Sequence, residues 1–166
     1  IGDAGVTALS QGIAEHTALT YLSLASTSFG ANGATALGEA LKTNTVLITL
    51  DLGNDVFGDN GDVGLALGLQ VNHSLQRLIL VRNNIGDIGV TAIAQALQLN
   101  QKLSNLDLGA NSFAVGGAIA LAQTLQVNKS LQKLYLYAEN IGDNGAIAFA
   151  QALKVNTVLQ RLDLTT

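Results

Sequence analysis

The chain reads as an α/β solenoid, a curved horseshoe segment with a parallel sheet on its concave face and helices on its convex face. Three observations predict it. Leu19, Leu47, Leu75, Leu103, Leu131 and Leu159 each open the pattern L-x-x-L-x-L, each 28 residues after the last. Within every 28-residue unit a period-two apolar pattern gives way to a helical one. Neither element can enclose its own leucines, so each unit needs a neighbour to bury them against.

The strand comes first. With the opening leucine as position 1, positions 1, 4, 6, 11, 19 and 23 are apolar in all five full units; in the fifth they are Leu131, Leu134, Leu136, Ile141, Phe149 and Leu153. The alternation at the start is a short strand. Positions 16, 19, 20 and 23 then recur at helical spacing, in the fifth unit Ala146, Phe149, Ala150 and Leu153, which is one apolar helix face. The chain divides into a truncated repeat (1–18), five full repeats (19–46, 47–74, 75–102, 103–130 and 131–158) and a stub (159–166).

The turns carry their own signals. Position 13 is Asp3, Asp59, Asp87 and Asp143 in four copies, where a helix N-cap is expected. Asp62 follows Asp59 at nearly capping-box spacing. Position 26 is Asn44, Asn72, Asn100, Asn128 and Asn156, expected to end each helix in the left-handed conformation. Position 15 is glycine in all six copies, from Gly5 to Gly145, so the helix start is expected to press on a neighbouring coil. Small residues at positions 18 and 22, such as Ala92 with Ala96 and Gly64 with Gly68, allow close helix approach. Strands ~4.8 Å apart and helices ~8–10 Å apart force curvature of roughly 0.4 rad per repeat, with the sheet inside.

The consensus L-x-x-L-x-L-x-x-N-x-I-G-D-x-G-A-x-A-L-A-x-A-L-x-x-N resembles leucine-rich repeats of the ribonuclease-inhibitor class. That class includes the repeat domains of NOD-like receptors and of Ran GTPase-activating proteins. The resemblance spans essentially the whole chain and implies a single leucine-rich-repeat domain. The family asparagine at position 9, which normally bonds backbone groups in the turn, stands at Asn83 and Asn111. Thr27, Asp55 and Glu139 replace it elsewhere.

Composition narrows the function. The chain has 166 residues, 12% charged, a net charge of −4 and no Cys, Met, Pro or Trp. Missing cysteine excludes disulfides, thiolate metal sites and cysteine nucleophiles. Thinly spread, net acidic charge argues against nucleic acid and anionic membrane as partners. The uncharged run Leu108–Asn128 is broken by Asn111, Ser112, Gln123 and Gln126, so it reads as strand, turn and helix. No secretory leader is recognisable, and a cytoplasmic protein is expected. His16 and His73 lie apart without further ligands, so no metal or cofactor is expected, and no serine belongs to a defensible triad. The sequons at Asn72 and Asn128 coincide with the helix-ending position and read as by-products of the repeat. Gly58–Asp62 reads as a helix start, not a calcium or phosphate loop.

The candidate site is on the outward strand positions. Position 5 reads Ser23, Asp51, Ile79, Asp107, Tyr135, Asp163, and position 7 reads Ala25, Gly53, Val81, Gly109, Tyr137, Thr165. An Asp-with-Gly pair alternates with a bulky pair, a 56-residue super-repeat. Tyr135, Tyr137, Ile79 and Val81 are candidate binding anchors, with Arg77, Arg82, Lys133 and Asp107 as their polar rim; lateral strand packing is the competing explanation. Arg77 is expected within reach of Asp51 and Asp107, and Lys133 within reach of Asp107 and Asp163. Gly109 is expected to open a shallow slot between the apolar ridges.

The expected function is non-enzymatic: a scaffold recognising a protein partner on the concave face. The alternatives are a GTPase regulator like the Ran activator, for which no motif transfers, and a structural, self-associating array. Uncapped ends are expected to self-associate end to end or to be continued by flanking sequence in a longer protein.

Overall fold

A computed structural model describes residues 1–165. Six helices alternate with six strands: α1 (Gly2–Glu15), β1 (Tyr21–Ser23), α2 (Ala31–Leu41), β2 (Thr49–Asp51), α3 (Gly58–Val71), β3 (Arg77–Ile79), α4 (Asp87–Leu99), β4 (Asn105–Asp107), α5 (Val115–Val127), β5 (Lys133–Tyr135), α6 (Gly142–Leu153) and β6 (Arg161–Asp163). The strands form one parallel sheet in the order β1 to β6. Each strand pairs with the next in the register of the repeat, so that Leu50, Leu78, Leu106 and Leu134 stand in line. The fold is the predicted leucine-rich-repeat solenoid. None of its helices is long and apolar enough to cross a membrane, among the described residues.

The core lies between sheet and helix layer. The leucines at positions 1, 4 and 6 of the four middle repeats, Leu47 to Leu136, are at most 1% exposed. The helices contribute positions 16, 19, 20 and 23; in α4 these are Val90, Ile93, Ala94 and Leu97, all buried. In α6 only Phe149 of this set is buried.

Two turn expectations are corrected. The position-13 aspartate does not cap its own helix, because it already sits inside the first turn. It caps the next helix in the stack instead. Asp59 Oδ1 accepts from Gly86 N at 2.7 Å and Gly89 N at 2.9 Å. Asp3 does the same for Gly30 and Gly33, and Asp87 for Ala114 and Gly117. The N-termini of α2, α4 and α5 thus each receive a carboxylate from the preceding repeat, where the dipole favours it. Asp62 makes no capping bond; it is fully buried and neither carboxylate oxygen has a partner.

The position-26 asparagines are not left-handed either. Asn72, Asn100 and Asn128 are extended, with φ from −74 to −70°, because the backbone is already turning towards the next strand. The side chain ends the helix. Asn100 Nδ2 donates to Leu69 O at 2.7 Å and Asn72 O at 2.8 Å, and its Oδ1 accepts from Lys102 N and Leu103 N. Asn72 and Asn128 are 2% and 0% exposed, so both sequons are sealed inside this ladder. Left-handed backbone falls instead just after β1 to β5, at Ser26, Asn54, Arg82, Ala110 and Ala138, and two residues further on at Ser28, Val56 and Asn84.

The close approaches are as expected. A Cβ on Gly61 would lie 2.9 Å from Ala34 Cβ of the preceding coil, and one on Gly145 3.0 Å from Ala118 Cβ. The tightest contact joins α2 and α3. There a Cβ on Gly68 would fall 2.0 Å from Gly38 O, and one on Gly38 2.2 Å from Gly64 O. These helices meet backbone to backbone.

Candidate functional site

Pleating turns strand positions 3 and 5 away from the core, and position 7 follows on the same side. The register places Asp51, Ile79, Asp107, Tyr135 and Asp163 in one row across β2 to β6. Position 3 makes a second row of Thr49, Arg77, Asn105, Lys133 and Arg161. Ile79, Asp107, Tyr135, Val81 and Tyr137 are half-buried, while Arg77, Arg82 and Lys133 are exposed. Seven of the eight candidates are thus at positions 3, 5 and 7 of one face, while Arg82, at position 8, lies in the turn after β3 with a left-handed φ of 55°.

The structure fills the expected slot at Gly109. The Tyr137 ring lies over this glycine; a Cβ there would be 2.3 Å from Tyr137 Cζ. Val81 stands over Gly53 in the same way, more loosely, at 3.9 Å from Cβ to Cβ. The glycine of one strand makes room for the bulky residue of the next. This is a structural reason for the 56-residue alternation, and it gives Tyr137 and Val81 a packing role over a glycine, where the position-5 neighbours of Tyr135 and Ile79 are aspartates.

The charge ladder is also looser than its spacing implies. Among the described residues the ion pairs within 4 Å are Lys42–Glu39 at 2.7 Å and Arg161–Asp163 at 3.3 Å. Arg77, Arg82 and Lys133 form none. The exposed ends of these long side chains gain too little from pairing to be held. Partial burial pushes the Asp107 carboxyl above its ordinary pKa, opposed by the Gly109 N–H and the Arg77 charge. Burial, with Asp107 next, likewise raises the Tyr137 phenol. Arg161 lies outside the eight candidates, yet its guanidinium sits 4.9 Å from the Tyr135 ring centre, a cation–π geometry. Its signal was positional: it shares position 3 with Arg77 and Lys133.

An open groove lies on the helix side, between α3 and α4. It encloses about 470 Å³ beside Val63, Ile88, Thr91 and Gln95. Among the described residues, no group of three or more His, Asp or Glu is gathered as for a metal ion.

Residues 71–94 match the family described as Leucine Rich repeat. No curated protein matches the chain. Among solved structures, the Leiomodin-1 Actin-Binding Site 2 is similar with a TM-score of 0.71 at 22% identity, over 92% of this chain and 87% of that one. The tropomodulin C-terminal domain of Caenorhabditis elegans is similar with a TM-score of 0.74 at 16% identity, over 91% and 92%. At these identities the likeness is one of fold.

Proposed function

We propose that the chain, a single domain of ribonuclease-inhibitor-type repeats, is a non-enzymatic scaffold that recognises a protein partner on the open face of its sheet. The observation that carries this reading is Tyr135. Its ring is half-buried and stacked against Arg161, with the exposed Lys133 on the same strand and Ile79 two strands away in the same row. Such an aromatic anchor beside bases is the usual make-up of a binding hot spot. Tyr137, Val81, Arg77, Arg82 and Asp107 complete the patch.

The test compares wild type with Tyr135→Ala as baits for partners from the native source. Actin is the first purified partner to try, since one structural neighbour is titled an actin-binding site. Tyr135→Ala should weaken the captured partner by ~1–3 kcal/mol with an unchanged melting temperature. Tyr137→Ala is a poorer test because its ring also packs over Gly109. Equal capture by both baits overturns the proposal.

A further inference from the structure

Charge is sorted across the solenoid. Of the eight Lys and Arg residues, seven lie where a helix ends and the next strand begins. Lys42 and Lys154 are helix C-caps, Lys102 and Lys129 are in the connections, and Arg77, Lys133 and Arg161 are first strand residues. Nine of the twelve acids lie further towards the other edge: Asp51, Asp107 and Asp163 end strands, Asp163 near enough to pair with Arg161 at 3.3 Å, Asp55 and Glu139 are in the turns, and Asp3, Asp59, Asp87 and Asp143 are in first helical turns. Helix dipoles favour this sorting. They do not require basic residues in the connections, beyond the last turn.

The sorting is unbalanced in one stretch. At the α1 and α2 ends, Glu15 and Glu39 accompany the bases, and Glu39 pairs with Lys42. From β3 onward this edge carries six bases and no acid. There it opens into a polar groove of about 440 Å³ lined by Gln76, Lys102, Ser104, Lys129 and Gln132. The floor is formed by three consecutive coils, in which Ser104 N donates to Gln76 O at 2.9 Å and Gln132 N to Ser104 O at 2.8 Å.

We infer that this groove is a second docking surface, distinct from the Tyr135 patch, that takes an extended acidic segment of a partner protein. Lys102 and Lys129 supply uncompensated charge for its carboxylates. The carboxamides of Gln76 and Gln132 both donate and accept, which suits peptide backbone. The groove lining contains no aromatic ring on which a nucleobase would stack.

The test is fluorescence anisotropy with a labelled peptide of alternating Glu and Ser. A Lys/Ser peptide and a single-stranded oligonucleotide of equal length are the comparisons. Lys102→Gln with Lys129→Gln, both exposed, should weaken the acidic peptide on the order of tenfold. Raising salt to ~150 mM should weaken it further. Arg82→Gln, on the far edge, and Tyr135→Ala should leave binding unchanged, which separates this surface from the sheet patch. No binding at low salt, undiminished binding by the double variant, or tighter binding of the oligonucleotide would each overturn the inference.

Discussion

Residues 55, 56 and 62 of the second repeat occupy the same places on the solenoid as residues 83, 84 and 90 of the third. In the third repeat every group is suited to its place. Asn83 Oδ1 accepts from Asp55 N at 2.8 Å and Val56 N at 2.9 Å, while its Nδ2 donates to Leu52 O at 2.7 Å. Asn84 takes a left-handed φ of 56°, and Val90 is fully buried in the core. In the second repeat Asp55 Oδ1 accepts from Thr27 N and Ser28 N at 2.7 Å, but Oδ2 is buried without a partner. Val56 takes a φ of 60°, and Asp62 replaces the core valine. A repeat array tolerates such a unit because each coil is held mainly by its neighbours. The consequence is that defects are local and separable.

The core sets the scale for testing this. Leu106 is fully buried in β4, and Leu106→Ala should cost ~2–5 kcal/mol by cavity formation. Urea unfolding measures it. A loss below ~1 kcal/mol would mean that the sheet leucines are not the packed core.

The next largest effect moves the defect between repeats. Asp62→Val, which copies Val90, should stabilise by about 2 kcal/mol at neutral pH, because a buried carboxyl without partners is removed. Val90→Asp should destabilise by at least about as much. If Asp62→Val is neutral or destabilising, the side chain has a partner or a hydration that the structure does not show.

Much of this was legible beforehand, for a physical reason. Fold and register follow from leucines that recur with the period of the backbone, and burial leaves them one arrangement. Side chains that act between coils were read less well. Capping rules are local in sequence and place Asp59 and Asn100 on their own helices, whereas the groups that Asp59 Oδ1 and Asn100 Nδ2 bond lie 27 to 31 residues away. The same locality hid the contact of Tyr137 with Gly109. Individual strand positions identified the face, but only packing separates Tyr135 from Tyr137.

The position-9 rungs make the comparison depend on pH. Burial raises the Glu139 carboxyl from 4.5 to about 7, opposed by the Asn111 N–H, and raises Asp55 in the same direction. The folded chain therefore binds these protons more tightly than the unfolded chain. Stability from Glu139 is full below pH 4.5 and is lost as pH rises towards about 7. The urea midpoint should be higher near about pH 5 than near about pH 8. Glu139→Gln and Asp55→Asn, which make the rungs neutral as Asn83 and Asn111 are, should each add about 1 kcal/mol at the higher pH and narrow the difference. An unchanged pH slope in both variants would show that these carboxyls are ionised and hydrated in the fold.

The smallest effect isolates backbone from charge. Val56 is 66% exposed and makes no core contact, yet its φ of 60° is one that a β-branched residue adopts only under strain. Val56→Asn copies Asn84 and should stabilise by about 1 kcal/mol. Val56→Gly also relieves the strain but loses chain entropy on folding, so it should gain less. The reciprocal Asn84→Val should cost slightly more than Val56→Asn gains, because Asn84 Oδ1 also accepts from Ser112 Oγ at 3.0 Å. Thermal melts of the three variants give the order. Combining Val56→Asn with Asp62→Val tests separability: the two residues share no hydrogen-bond partner, so their gains should add within about 0.5 kcal/mol. A sum well short of additive would mean that the turn and the helix start of the second repeat relax together, and that one strain sustains the other.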